Sequence, residues 1–198
     1  LMPIHPIGEV ARKGSMGSPY SVADYYGVNP DLGTEADLRE LIDGAHAKGM
    51  KVILDWVANH SSFDNPWITD HKDWYTQDGQ GNVVPPNADW TDVADLNFDV
   101  PAMRAGMIDA LKYWVSEFGV DGYRCDVAWG VPVDFWNDAT AALKQIKPVY
   151  MLAEADGNPE LLQDAFLSDY GWKFKDLLSV DLILPIPGLC HLGYDSFY

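Results

Sequence analysis

The chain has 198 residues, with 13 Lys and Arg against 30 Asp and Glu, and a formal net charge of −17. This acidic balance argues against binding to nucleic acid or to an anionic membrane surface, because both need a basic face. A hydrophobic fraction of 47% is enough for one domain with a sizeable core, and two cysteines are too few for a disulfide framework. No apolar run approaches the roughly 18 residues of a membrane span.

The first third of the chain predicts a strand, a long loop, a helix and a second strand. The stretch "LMPIHPI" at 1–7 is typical of the end of a buried strand, and residues 8–33 are rich in Gly, Ser, Pro and Tyr, as in a functional loop. Thr34 and Asp37 then form a variant capping box, and apolar residues recur at helical spacing as far as Gly49. The nearly continuous apolar run "MKVILDWVA" at 50–58 predicts a parallel strand covered on both faces.

The remaining elements alternate between helix and strand. A long polar and aromatic loop excursion occupies 61–98, a helix follows from Pro101 to about 118, and a strand surrounds "VDGYRCDV" at 120–127. A helix over 133–147, a strand over 149–156 and a final strand near 165–172 complete the pattern. This order predicts a parallel sheet with right-handed crossovers. Periodicity alone does not separate an open doubly wound sheet from a closed (β/α)8 barrel.

Each of three predicted strands ends in a carboxylate: Asp55, Asp126 and Glu154. Parallel strands present their carboxyl ends at one rim, so these side chains should converge where barrel enzymes place their chemistry. Arg124 lies two residues before Asp126, on the same face of its strand, and His60 follows Asp55 closely. Any one of these residues has an ordinary structural interpretation, but the matched set predicts a polar site.

Paired carboxylates beside a guanidinium suit cleavage of a glycosidic bond. One ionised carboxylate attacks the anomeric carbon, and one carboxylic acid protonates the leaving oxygen. We expect Arg124 to lower the pKa of Asp126, and Glu154, which lacks so close a cation, to titrate higher. Aromatic residues of the loops supply flat surfaces for sugar rings, among them Tyr20 and Trp90, although ordinary loop packing explains each of them equally well.

Three short motifs carry a resemblance to a known family. The segments "DWVANH" (55–60), "GYRCDV" (122–127) and "MLAEAD" (151–156) resemble, in order and spacing, three signature regions of the α-amylase family of glycoside hydrolases. The surrounding segments "GSPYSVADYYGVNPDLGT" and "WTDVADLNFDVP" are similar to the same family, particularly to its bacterial amylase and cyclomaltodextrinase-like members. The resemblance covers about residues 1–175.

The resemblance implies a role for each site residue. Asp126 would be the nucleophile and Glu154 the general acid and base, while Arg124, aided by Asp55, would orient and ionise Asp126. His60 and Tyr20 would contact the sugar ring at the cleavage point, Tyr20 by stacking.

This chain departs from the family pattern at three places. The family's third catalytic aspartate, in a His-Asp pair after the seventh strand, has no counterpart, since "CHLGYD" at 190–195 is not that motif. The resemblance implies calcium ligation by Asn59 and Asp95, but Gly130 stands where the family places a further His ligand. Residues 177–198 do not resemble the family's continuation.

The sequence therefore predicts a single incomplete (β/α)8 barrel over residues 1–198, running from about the second strand to the sixth, with an excursion at 61–98 after the third and an unassigned tail at 177–198. The predicted function is that of a retaining glycoside hydrolase acting on starch-like α-glucans or maltodextrins, without an organic cofactor. A transglycosylase or α-glucosidase of the same family, and a non-catalytic sugar-binding relative, are the alternatives. We expect the 198 residues alone to be inactive, and the family resemblance favours an extracellular or periplasmic location.

Overall fold

A parallel sheet of four strands lies at the centre of the protein, whose computed structural model describes residues 1–181. Its order is β1-β4-β5-β6, and a two-stranded antiparallel pair, β2 with β3, lies apart from it. In chain order the elements are α1 (Glu35–Ala47), β1 (Leu54–Val57), β2 (His60–Ser61), α2 (Pro66–Asp70), β3 (Ala94–Asp95), α3 (Pro101–Phe118), β4 (Gly122–Asp126), α4 (Val133–Lys144), β5 (Tyr150–Ala153), β6 (Ser168–Asp169) and α5 (Trp172–Asp181).

The predicted alternation of strands and helices is confirmed over this range. Helix α3 connects β1 to β4, apart from the loop excursion, and α4 connects β4 to β5, so each crossover packs a helix against the parallel sheet. The capping box is present, because Thr34 accepts from the Asp37 amide and the Asp37 carboxylate accepts from the Thr34 amide. Helix α3 buries seven side chains, of which the Trp114 indole also donates to the Tyr25 carbonyl at 2.8 Å.

Several predicted boundaries differ from the observed ones. Strand β1 is shorter than 50–58, and no strand is assigned within 1–7, although the Leu1 carbonyl accepts from the Asp55 amide at 2.9 Å as a neighbouring strand would. The excursion at 61–98 is not entirely irregular, because it begins and ends in the β2–β3 pair and contains α2. In the predicted tail, residues 177–181 continue helix α5, and 182–198 lie outside the described residues.

The register of the sheet sets the positions of the charged residues. Strand β1 is buried throughout, and Asp55 pairs with Arg124 while Val57 pairs with Asp126 on β4. At Gly122 the backbone has φ +145°, and a Cβ there would lie 1.8 Å from the Tyr150 carbonyl oxygen of β5. Only glycine permits this approach of β4 to β5.

An ion cluster fixes β4 at the opposite end from its carboxylate. The Asp121 side chain accepts from the Val52 amide at 2.9 Å and binds His46 (2.6 Å), Lys51 (3.1 Å) and Lys147 (3.0 Å). Burial acts to raise the pKa of Asp121, but these hydrogen bonds hold that pKa well below its usual range. In the described part of the chain, no helix has the length and apolar character needed to cross a membrane.

Candidate active site

The predicted polar residues meet at the carboxyl ends of the parallel strands, as expected. Asp126 is the last residue of β4, Glu154 follows β5 directly, and both line a cavity of about 430 Å³. Tyr20 from the 8–33 loop and His60 of β2 line the same cavity. Its remaining wall comes from the two long loops and the residue after β4, namely Lys13, Gly17, Ser18, Trp90, Asp92, Val93 and Val127.

Arg124 lies at the centre of the site and binds all three strand-end carboxylates. Its Nη1 donates to Asp55 Oδ1 at 2.7 Å and to Asp126 Oδ1 at 2.8 Å, and its Nη2 lies 3.0 Å from Glu154 Oε1. The Nε donates to the Tyr170 hydroxyl at 2.9 Å, so every nitrogen of the guanidinium has an acceptor. The planar fork of arginine is suited to several acceptors at once, whereas the point charge of lysine is not.

The expectation that Glu154 lacks a close cation is wrong. Glu154 reaches Arg124, and its Oε2 also accepts from the Val127 amide at 2.8 Å. Val127 has a left-handed backbone with φ 46°, which is uncommon for a β-branched residue and turns the chain sharply after β4. This turn aims the Val127 amide at the Glu154 carboxylate, a contact that strand periodicity does not predict.

Arg124 acts to lower the pKa of Asp126, as expected, but the net shift is upward. Burial and the nearby Glu154 carboxyl raise the pKa of Asp126 to about 7, and Arg124 offsets only part of the increase. Burial likewise raises the pKa of Asp55, against the opposing effect of Arg124. One guanidinium therefore does not fully compensate the three carboxylates around it.

Tyr20 and His60 occupy the cavity wall beside this pair. The Tyr20 hydroxyl donates to Asp55 Oδ2 at 3.1 Å, which leaves its ring on the cavity surface. His60 is 4% exposed, and burial lowers its pKa to about 4, so its imidazole is neutral near pH 7. The Trp90 ring lies edge-on to the imidazole, with their centroids 5.5 Å apart.

Asn59 and Asp95 lie together next to this site, in a separate cavity of about 240 Å³ that Gly130 also lines. The Asn59 amide nitrogen lies 3.2 Å from His60 Nδ1, and the Asn59 carbonyl oxygen faces Gly130, where a Cβ would lie 2.9 Å away. Burial raises the pKa of Asp95, whose side chain has a hydrogen bond to Thr76. Among residues 1–181, no group of three or more His, Cys, Asp or Glu is arranged to hold a metal.

Sequence reasoning missed three residues of the site: Tyr170, Lys13 and Asp92. Tyr170 directly follows β6, and its position within the predicted final strand near 165–172 is the one signal that pointed to it. Lys13 and Asp92 lie in different loops and form an ion pair of 3.0 Å, which no local pattern indicates.

Comparison with known proteins identifies relatives of this chain. Residues 9–156 match the family model described as the alpha amylase catalytic domain. Alpha-amylase 3 of Dictyoglomus thermophilum is 35% identical over 185 residues, which is 80% of this chain and 36% of that protein. A cyclomaltodextrinase of Geobacillus thermopakistaniensis is 33% identical over 165 residues, which is 74% of this chain and 28% of that protein.

A solved structure extends the similarity to the fold. The crystal structure of an alpha-amylase from Lactobacillus plantarum has a TM-score of 0.84 and 41% sequence identity, over 91% of this chain and 49% of that chain. The expected partial (β/α)8 barrel is thereby confirmed. The chain spans about a third of the two curated relatives and half of the solved one.

Proposed function

This chain belongs to the α-amylase family, and from that premise we propose that it supplies the catalytic carboxylates of a retaining α-glucan hydrolase. The observation that carries the proposal is the Arg124 guanidinium, which holds Asp126 and Glu154 side by side on the wall of one cavity. A retaining mechanism needs two carboxyl groups close together, because one of them attacks the sugar directly.

In the proposed mechanism Asp126 is the nucleophile. Its carboxylate oxygen bonds to the anomeric carbon while the glycosidic C–O bond breaks, and Glu154 donates its proton to the leaving oxygen. Glu154 then accepts a proton from water, which attacks the anomeric carbon and releases Asp126. Burial and the nearby Glu154 carboxyl raise the pKa of Asp126 to about 7, so a protonated Asp126 has to lose its proton before it attacks the sugar.

The other residues hold these two groups and the sugar in place. Arg124, bound by Asp55 and Tyr170, favours the charged form of Asp126. The Tyr20 ring presents a flat face to the sugar at the cleavage point. The neutral imidazole of His60 supplies a hydrogen bond to a sugar hydroxyl without adding charge.

A chimera tests this proposal without assuming that the chain is active alone. Residues 1–181 replace the matching segment of the Lactobacillus plantarum α-amylase, which supplies the remaining half of the domain. We expect release of reducing sugar from soluble starch, and we expect Asp126→Asn and Glu154→Gln each to lower kcat by at least about a thousandfold. Glu160→Gln, an exposed carboxylate outside the cavity, serves as the matched control.

Three outcomes are informative. Activity that survives Asp126→Asn refutes the assigned nucleophile. Transfer of glucosyl units to an added maltose, in excess over hydrolysis, favours the transglycosylase alternative. An inactive but folded chimera that still binds maltotriose favours the non-catalytic alternative.

We also propose that calcium binds in the cavity beside the site, between Asn59 and Asp95. The residues fit this ion in part, since the Asn59 carbonyl oxygen and the half-buried Asp95 carboxylate are the hard oxygen ligands that calcium prefers. Bound there, the ion would be held by Asn59, which precedes β2, and by Asp95 of β3, and it would have no chemical role. Titration with Ca²⁺ should raise the melting temperature of the chain, and Asp95→Asn should remove the increase. An unchanged melting temperature refutes the site.

A further inference from the structure

The cavity contains an ion pair, with one member buried and the other half-exposed, that the proposed mechanism does not use. Lys13 Nζ lies 3.0 Å from Asp92 Oδ1 and donates to the Asp89 carbonyl at 2.6 Å, so the 8–33 loop is bound to the far end of the 61–98 excursion. The Asp92 side chain is 9% exposed, whereas the Lys13 side chain is 50% exposed. Both residues line the same cavity as Asp126 and Glu154.

If its only role is to join two loops, this ion pair is energetically less favourable than apolar contacts would be. Removing a carboxylate from water costs free energy that a single half-exposed partner does not recover, and apolar side chains would connect the loops at lower cost. The loops are already joined independently, because Ser21 Oγ donates to the Asp92 carbonyl at 2.9 Å. The charges therefore call for a second explanation.

Both members of the pair have hydrogen-bonding capacity left for a ligand. An ammonium group has three donors, and Lys13 donates one of them to the Asp89 carbonyl while it forms an ion pair with Asp92. Within residues 1–181, Asp92 Oδ2 has no hydrogen-bond donor, and it is not sealed from the cavity. A donor and an acceptor thus lie side by side, which is the pattern that neighbouring hydroxyls of a sugar complement.

The adjacent aromatic ring completes the arrangement. Trp90, two residues before Asp92, lines the cavity together with Lys13, and its edge-on contact with His60 holds its ring against the wall. Sugar sites commonly combine an aromatic face with charged groups that bind hydroxyls. Asp92 also lies close enough to His60 to act on its imidazole electrostatically, so the pair is continuous with the cleavage point.

We propose that Lys13, Asp92 and Trp90 form a specificity wall that binds two adjacent hydroxyls of a glucosyl residue in the substrate. This inference rests on the proposed function and adds to it the residues that recognise the hydroxyls of the substrate. Glucans methylated at these hydroxyls lose the hydrogen bond to Asp92 and add bulk against the wall, so they should bind poorly.

Binding of maltotriose to the 198-residue chain, followed by tryptophan fluorescence and calorimetry, tests the wall without requiring catalysis. We expect Asp92→Asn and Lys13→Met each to weaken binding by at least about tenfold, the usual effect of losing a hydrogen bond to a charged group. The double variant should be little worse than either single one, because the two groups act as a pair. Lys13→Arg should restore part of the affinity.

Two controls separate recognition from loop structure. Asp109→Asn disrupts an exposed ion pair with Lys112 far from the cavity and should not alter binding. Ser21→Ala removes the uncharged link between the loops, so a loss of affinity equal to that of Asp92→Asn would show a structural role and overturn the proposal. Wild-type affinity in Asp92→Asn would overturn it as well.

Kinetics of the chimera distinguish failure of the wall from failure of the proposed function. We expect Asp92→Asn to raise KM for maltotriose about tenfold with kcat changed by less than about threefold. If KM is unchanged while Asp126→Asn abolishes turnover, only the wall is wrong. If Asp126→Asn retains turnover, the proposed function is wrong whatever the result for Asp92.

Discussion

Replacing His5 should flatten the acid dependence of stability. The His5 ring is 1% exposed and lies among three aromatic rings, Tyr25, Trp56 and Trp114, with centroid distances of 5.4 to 6.1 Å. Its Nδ1 lies 3.2 Å from the Gly27 carbonyl, and its Nε2 is buried without a hydrogen-bond partner in the described structure. The Gly27 carbonyl and the charge of Asp24 favour a second proton on the ring, but burial outweighs both.

The magnitude follows from the pKa. Burial lowers the pKa of His5 from 6.5 to about 4, so between these values the unfolded chain binds a proton that the folded chain does not. The stability that depends on a neutral His5 is therefore fully present above about pH 6.5, and it is lost as the pH is lowered toward 4. Each pKa unit corresponds to about 1.4 kcal/mol. Protonation linked to His5 alone should therefore lower the free energy of unfolding by roughly 3 kcal/mol over this pH range.

Urea denaturation at several pH values, followed by tryptophan fluorescence, measures this effect. We expect His5→Phe to change the free energy of unfolding by no more than about 1 kcal/mol at pH 7.5, where it exchanges one weak hydrogen bond for an apolar edge. Near pH 4 the variant should be roughly 3 kcal/mol more stable than the unmodified chain. His71→Gln, at an exposed histidine, should follow the unmodified chain. Parallel pH profiles for His5→Phe and the unmodified chain would refute the reasoning.

Three further changes test the site and the sheet. Arg124→Lys in the chimera keeps the charge but loses the fork, and kcat should fall roughly a hundredfold with KM little changed; a loss below about threefold would show that the fork is unnecessary. Tyr170→Phe removes the acceptor of Arg124 Nε, and kcat should fall about tenfold at unchanged stability; an unchanged kcat and pH profile would contradict this positioning role. Gly122→Ala places a Cβ against the Tyr150 carbonyl and should lower the free energy of unfolding, measured by urea denaturation, by more than about 3 kcal/mol. Gly44→Ala is the control, because a Cβ there meets no atom within 4 Å. Equal stability of the two variants would show that β4 and β5 can separate.

The sequence was sufficient to place the charged residues that lie on strands. Side chains alternate along a strand, so the spacing of Arg124 and Asp126 already puts them on one face. Parallel strands in register then bring Asp55 beside Arg124, as the observed pairing confirms. These positions depend only on local periodicity and on a shared strand direction, both of which are visible in the residues.

Contacts made by loops and turns were not predictable in the same way. The Lys13–Asp92 pair joins residues from two loops whose paths no periodicity constrains. The contact of Glu154 with the Val127 amide depends on one left-handed residue, Val127, which is of a type that rarely adopts this backbone. The pKa values depend on burial, and the neighbouring Arg124 taken alone suggested the opposite direction for Asp126.

The charge balance of the site supports the proposed chemistry. Arg124 supplies one positive charge against Asp55, Asp126 and Glu154, and burial raises the pKa of Asp55 and Asp126 despite the guanidinium. Ionised carboxylates without a balancing positive charge are energetically unfavourable in a cavity, and they stabilise positive charge that develops there. Glycoside cleavage passes through an oxocarbenium-like state whose positive charge lies on the sugar ring. The same electrostatic imbalance that opposes ionisation of Asp126 therefore favours the transition state, and this holds whether water or a second sugar is the acceptor.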